Sequence, residues 1–169
     1  MIDGTKARAA ELVAAAYAVV AEVGFEGLRL RRVAADVGID QSTLHHYFAT
    51  KGDLVQAVAE YATTRLAASA PPPGTPREHA VAAHLRALVD LMRTDPDLLT
   101  VSAELDLHAR RDPAVRATLD RQEAGWRAML VSLLEDPAAA ELVIAAVKGV
   151  RLSPELAPSV FERLLGGLS

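Results

Sequence analysis

The chain has 169 residues, 18 basic and 22 acidic side chains for a net charge of −4, and an apolar half in which aromatics are scarce at 4%. Such a length holds one or two small domains with a real core, and a mixture rich in Ala, Leu and Val favours helix over strand. The composition excludes a disordered chain and a basic tail, and the lack of cysteine excludes disulfides, Cys-ligated zinc, iron–sulfur clusters and thiol catalysis.

The first predicted element is a helix over residues 5–23, with Leu12, Ala16, Val19 and Val23 on one face and Gly24 where a left-handed residue would end it. Its apolar run, residues 12–21, is far shorter than the roughly 20 residues that a bilayer span needs. No leader pattern precedes it, so no membrane association and a cytoplasmic location are expected. A second helix is predicted over 30–37. Gly38 and the cap residue Asp40 then lead into a short third helix over 41–47. Thr50 and Asp53 have capping-box spacing at the start of a fourth, which continues through Leu54, Val58, Tyr61 and Leu66.

The three consecutive prolines Pro71, Pro72 and Pro73 cannot lie inside a helix, because each lacks an N–H and clashes with the preceding turn. Beyond them a good cap residue precedes proline five times, at Thr75-Pro76, Asp95-Pro96, Asp112-Pro113, Asp136-Pro137 and Ser153-Pro154. With apolar residues three and four apart between these marks, helices are predicted over about 76–93, 96–110, 113–134, 137–151 and 154–167. Pro158 leaves the start of the last open by a turn. No segment alternates with period two. The expected fold class is all-α, with about nine helices.

Ala34, Gly38 and Leu44 have the spacing of a helix-turn-helix. A small residue lets the second helix cross close to the first, and Gly38 turns the chain at positive φ. Ile39 and Leu44 would lock the pair, with Val33 and Val37 filling the space against the first helix. Such a unit presents its second helix to a DNA major groove, but the spacing alone also suits an ordinary helical hairpin.

Over residues 10–58 the chain resembles the DNA-binding domain of the tetracycline-repressor-like (TetR) family. The matching residues are Gly24-Phe25, Val33-Ala34, Val37-Gly38-Ile39, Thr43-Leu44, Tyr47-Phe48, Lys51 and Leu54. The resemblance implies a homodimeric transcriptional regulator, usually a repressor, with a small-molecule effector and a double-stranded, palindromic DNA operator as partners. Carried over by position, Gln41, Ser42 and His46 face base edges, while Thr43, His45 and Lys51 hold phosphates. Arg29 and Tyr47 complete the expected DNA-binding set. Gln suits adenine, and Lys51 at a helix start sits where N–H groups also favour anions. Two positions depart from the family: His45 stands where Tyr is usual, and Arg29 where Thr or Ser usually caps the second helix. His45 can still donate to a phosphate, with possible pH dependence. Arg29 would exchange a cap for a cationic contact.

Residues 1–66 carry seven basic and eight acidic side chains, so a DNA reader here must segregate its charges. Arg29, Arg31 and Lys51 are expected near the third helix, and Arg32 on a solvated face. The implied organisation is a helix-turn-helix domain over 1–50, a connecting helix over 51–70, and a helical effector-binding and dimerisation domain over 71–169.

Candidates to line an effector cavity are His84, Leu88, Met92, Glu104, His108, Trp126 and Met129, each of which could equally be core or surface. With no basic cluster among them, an apolar or weakly polar effector is expected. Glu104 and His108, one turn apart, do not make a metal site by themselves, and no metal or other cofactor is expected. The last two helices are more apolar than surface helices need to be. Leu142, Ala146, Val150, Phe161 and Leu165 are the expected dimer contacts, across a two-fold axis. No nucleophile motif, phosphate loop or paired-carboxylate arrangement points to an enzyme. The competing reading is a helical ligand-binding or interaction module that has lost DNA binding.

Overall fold

The computed structural model describes residues 2–167, with side chains from residue 4 onward. Among these residues all regular structure is helical. It comprises α1 (Ile2–Gly27), α2 (Leu30–Asp36), α3 (Gln41–His45), α4 (Lys51–Ala67), α5 (Arg77–Thr94), α6 (Pro96–His108), α7 (Pro113–Leu134), α8 (Pro137–Val150) and α9 (Ala157–Gly167). A 3₁₀ turn over Pro154–Leu156 precedes α9 and accounts for the proline pair at its start. No helix among the described residues is long and apolar enough to cross a membrane.

The cap signals operate as local chemistry requires. Asp40 accepts the Thr43 N–H at 2.8 Å, and Asp136 accepts those of Ala138 and Ala139. Thr50 and Asp53 form a reciprocal box: the Thr50 N–H donates to Asp53 at 2.9 Å and the Asp53 N–H to Thr50 Oγ1 at 3.1 Å. Each bond satisfies a donor that the first helical turn would otherwise leave unpaired. The Thr75 cap is not used, since α5 starts at Arg77 with Pro76 as its N-cap.

Two compact units share the chain. The first takes residues 1–64 with 100–119, and the second 65–99 with 120–169, so the divisions fall inside α4, at the Leu99–Thr100 bond of α6, and inside α7. The proline run lies within the second unit. In the first unit α2 packs on α1 and α3 packs on α2, over a core of Leu12, Val20, Leu28, Val33, Leu44, Leu54 and Val58, all fully buried. In the second, α9 lies against α5 and α8 over Leu85, Leu88, Leu130, Val143, Ile144, Val147, Val150 and Phe161. Val150 and Phe161, expected at a dimer contact, therefore spend their apolar surface inside this core. The reason is that α9 lies against both α5 and α8, which encloses these faces within the unit.

The first helix breaks at Gly24. Its φ of 68° and ψ of 176° lie in a region open essentially to glycine, and one further turn follows to Gly27. This is not the left-handed helix cap that the sequence suggests, since ψ is extended. A Cβ at this position would stand 2.8 Å from Glu104 Oε2, which is fixed by the N–H of Phe25. Gly24→Ala is expected to lower the unfolding free energy by about 1–3 kcal/mol from backbone strain alone. Urea denaturation checks this; an unchanged midpoint would show that the kink relaxes freely.

Candidate nucleic-acid interface

The turn between α2 and α3 is closed by backbone bonds from Gly38 to Ala35 and from Ile39 to Ala34, with Gly38 at φ 73°. Val33, Ala34 and Leu44 are buried, so the crossing of the two helices is fixed by packing. With Leu44 inward, Gln41, Ser42, His45 and His46 are exposed, and Thr43 and Tyr47 are half-buried. The polar face of α3 is thus free of core duty.

Asp40 organises the start of that face. Its carboxylate accepts from the Ser42 hydroxyl and from the N–H and hydroxyl of Thr43. These bonds hold its pKa down at about 2, the hydroxyl of Ser42 being the largest cause and the Thr43 N–H the next. Ser42 and Thr43 thereby have their hydroxyl directions set in the unbound chain. His45 Nδ1 lies 3.2 Å from the Ala49 carbonyl, within the loop that leads to α4.

The expected phosphate cations are held differently. Arg29 is the N-cap of α2 and makes no cap bond, because a guanidinium has no acceptor to offer; it donates to the carbonyls of Glu26 and Leu28. Lys51 Nζ donates to the Phe25 carbonyl at 2.9 Å. Both stay exposed, and both serve carbonyls around the break in α1. Arg32 pairs with Glu22 and, at 3.8 Å, with Asp36, on the solvated face expected for it.

Glu104 and His108 join this region through Phe25. Glu104 accepts the Phe25 N–H at 3.1 Å from 79 residues away, and the His108 ring lies 4.8 Å from that of Phe25. No local signal marks this pairing, since it depends on where α6 meets α1. His84 and Trp126 do come together in the second unit. The Trp126 Nε1–H donates to His84 Nε2 at 2.8 Å, and His84 Nδ1 is 2.9 Å from the Ser69 carbonyl. With Nδ1–H donating and Nε2 accepting, the ring is neutral. Burial pushes its pKa down, partly offset by the bond to Ser69. Leu88 and Met92, with Leu66, Leu91, Leu98, Leu99 and Val147, line a cavity of about 20 Å³ that has Asp95 and Arg151 at its edge. Met129 packs half-buried against the core. Among the described residues no group of three or more His, Asp or Glu could hold a metal ion.

Residues 12–58 match the family profile described as bacterial regulatory proteins, tetR family, and residues 76–165 match that of the tetracyclin repressor-like C-terminal domain. The HTH-type transcriptional regulator CymR of Pseudomonas putida is 29% identical over 140 residues, covering 72% of this chain and 64% of its own length. The chain thus spans less than two thirds of that relative. A member of the TetR family from Streptomyces coelicolor A3 has 29% identity and a TM-score of 0.77, over 93% of this chain and 97% of its own. A transcriptional regulator from Rhodococcus sp. Rha1 shares the fold, with a TM-score of 0.84 at 24% identity over 95% of each chain.

The depressed pKa of Asp40 has a direct consequence. A carboxyl whose folded value lies below its ordinary 3.8 adds stability that is present above that value and lost as pH falls through about 2. The Asp40 carboxyl carbon is expected to titrate near 2 by NMR, and the Thr43 amide to exchange faster in Asp40→Ala at pH 6. A midpoint near 4 would show that the cap does not form in solution.

Proposed function

The chain belongs to the tetR family of bacterial regulatory proteins, and from that premise we propose that it binds a palindromic DNA operator as a homodimer and leaves it when a small molecule binds. The role is regulatory rather than catalytic, and repression is the expected sense. The observation that carries this reading is the exposed α3 face of Gln41, Ser42, His45 and His46, set on a buried Leu44 and capped by Asp40. Gln41, Ser42 and His46 read base edges in the major groove, and Thr43, His45, Tyr47 and Lys51 hold the backbone. Arg29 and Lys51 keep N–H donors free beside their carbonyl partners, and both side chains are exposed, so each can donate to a phosphate as well. A phosphate adds a full opposite charge to the donor geometry, which a neutral carbonyl does not, and a guanidinium can take its oxygens two at a time.

Two copies of the reader match half-sites about 34–36 Å apart, or multiples of that, so dimerisation is part of the reading. The face of α8 turned away from the core supports it. Ala138, Leu142, Ala145 and Gly149 are exposed, with Leu142 at 56%, and Leu152 continues the same spacing at 82%. Alternate steps of four and three make a coiled-coil-like seam, and its small residues allow close approach. Leu142 is the leading contact, with Ala146 and Leu165, both half-buried, at the edge. The effector is an apolar small molecule that widens the cavity beside Met92 and Leu88, the latter one turn along α5 from His84 and its partner Trp126.

One observation favours the rival reading of a module that no longer binds DNA: the cations Arg29 and Lys51 are both engaged by carbonyls. Selection from a randomised duplex library separates the two. The wild-type chain is expected to enrich an inverted repeat, and Gln41→Ala to relax specificity at one base pair per half-site by about 1–3 kcal/mol. Leu142→Glu is expected to give a monomer by analytical ultracentrifugation and to lose the repeat. Enrichment of no sequence would overturn the reading.

A further inference from the structure

The first compact unit takes in more than the reader, because residues 100–119 of α6 and α7 belong to it. Between those helices lie Arg110 and Arg111, both exposed. Their turn is held at each end. The N–H groups of Ala109, Arg110 and Arg111 donate to the carbonyls of Leu105, Leu107 and His108, and Asp112 caps α7 through the N–H groups of Ala114 and Val115. The carbonyls of Leu105, Leu107 and His108 at the end of α6 are thereby satisfied by backbone rather than by either guanidinium.

Just before this turn stands His108, whose ring lies 4.8 Å from that of Phe25. Phe25 in turn receives Lys51, the cation expected on phosphate beside α3. The two arginines therefore follow closely on a side chain that shares a residue with the reader's own backbone-binding edge. The other arginines of the unit are largely committed. Arg8 pairs with Glu11, Arg32 with Glu22, Arg29 serves carbonyls, and Arg116 has a partner. Among the described residues, Arg31, Arg110 and Arg111 are the arginines of this unit whose side chains make no ion pair or hydrogen bond.

We propose that Arg110 and Arg111 form a second, sequence-independent contact with DNA phosphates, outside the base pairs read by α3 and on the same duplex. The inference rests on the DNA-binding reading above. The chemistry fits phosphate: guanidinium groups match its oxygens two at a time and remain charged at any working pH. A rigid turn presents them with little further ordering, and the contact adds affinity without adding sequence preference.

The test uses the duplex that the full-length wild-type chain selects from a random library, made in two lengths, with long flanks and with flanks trimmed to the repeat. Arg110→Gln/Arg111→Gln, which removes four guanidinium groups from the homodimer, is expected to lower the slope of log affinity against log salt by about 2–4 on the long duplex. The base preferences at every position should stay the same, and trimming the flanks should erase the difference from wild type. Arg86→Gln/Arg93→Gln, which removes the same charge from exposed positions in the second unit, should leave the slope unchanged. Equal slopes for the Arg110/Arg111 variant and wild type on the long duplex overturn the contact, as does an equal loss in the Arg86/Arg93 control. Failure of the wild type to select any duplex overturns the DNA-binding reading itself, and the contact with it.

Discussion

The amide groups of Phe25 are where the first unit is tied together. Breaking a helix leaves backbone donors and acceptors without partners, and a buried one must be satisfied or it costs free energy. Here the N–H is taken by Glu104 of α6 and the carbonyl by Lys51 of α4, while the ring rests on His108. Three segments far apart in sequence thus meet on one residue. Gly24 leaves room for the meeting, since a Cβ there would stand only 2.8 Å from Glu104 Oε2 and the carboxylate would have to shift. Leu30 begins α2 only five residues on, so the path of the helix-turn-helix starts from this grip.

Charge in this protein acts through local arrangement rather than through its sum. A net charge of −4 argues against nucleic acid only while the charges are averaged. Glu22 and Asp36 face Arg32, Glu11 faces Arg8, and Asp40 is turned to the start of α3, so these carboxylates act on near neighbours although the sum is unchanged. Exposed pairs of this kind contribute little stability, typically about 0–1 kcal/mol. Their effect is to neutralise field and to hold side chains in place. In the second unit a similar network joins α7 to α8. Glu123 accepts from Lys148 and Arg127, and Arg127 also reaches Glu141. The two carboxyls lie below their ordinary range, Glu123 chiefly through Lys148 and Glu141 through Arg127.

The second unit divides its apolar residues between two duties. Val143, Ile144, Val147 and Val150 of α8 face the core, whereas Leu142 does not. A helix rich in Ala, Val and Leu can serve both faces because its small residues leave the outer one nearly flat. His84 and Trp126 show the same economy. Each ring has a large apolar body to bury, and each satisfies the other's polar edge, so neither needs water or a ligand.

Local rules, which need only neighbours within a turn or two, made most of the helices legible. Proline after Asp, the Thr50–Asp53 box and the Gly38 turn state where helices begin and end, and the apolar periodicity states which face is covered. The helix-turn-helix was readable for the same reason, being a contact between adjacent elements. What the sequence by itself determined is therefore the helical elements, their caps and the reader. Tertiary structure decided what depends on packing over long separations. It put Glu104 and His108 on Phe25, turned Val150 and Phe161 inward, and buried His84 against Trp126. Helical spacing reveals that a residue is on an apolar face, but the partner of that face is chosen by close packing among elements tens of residues apart, which no local pattern records.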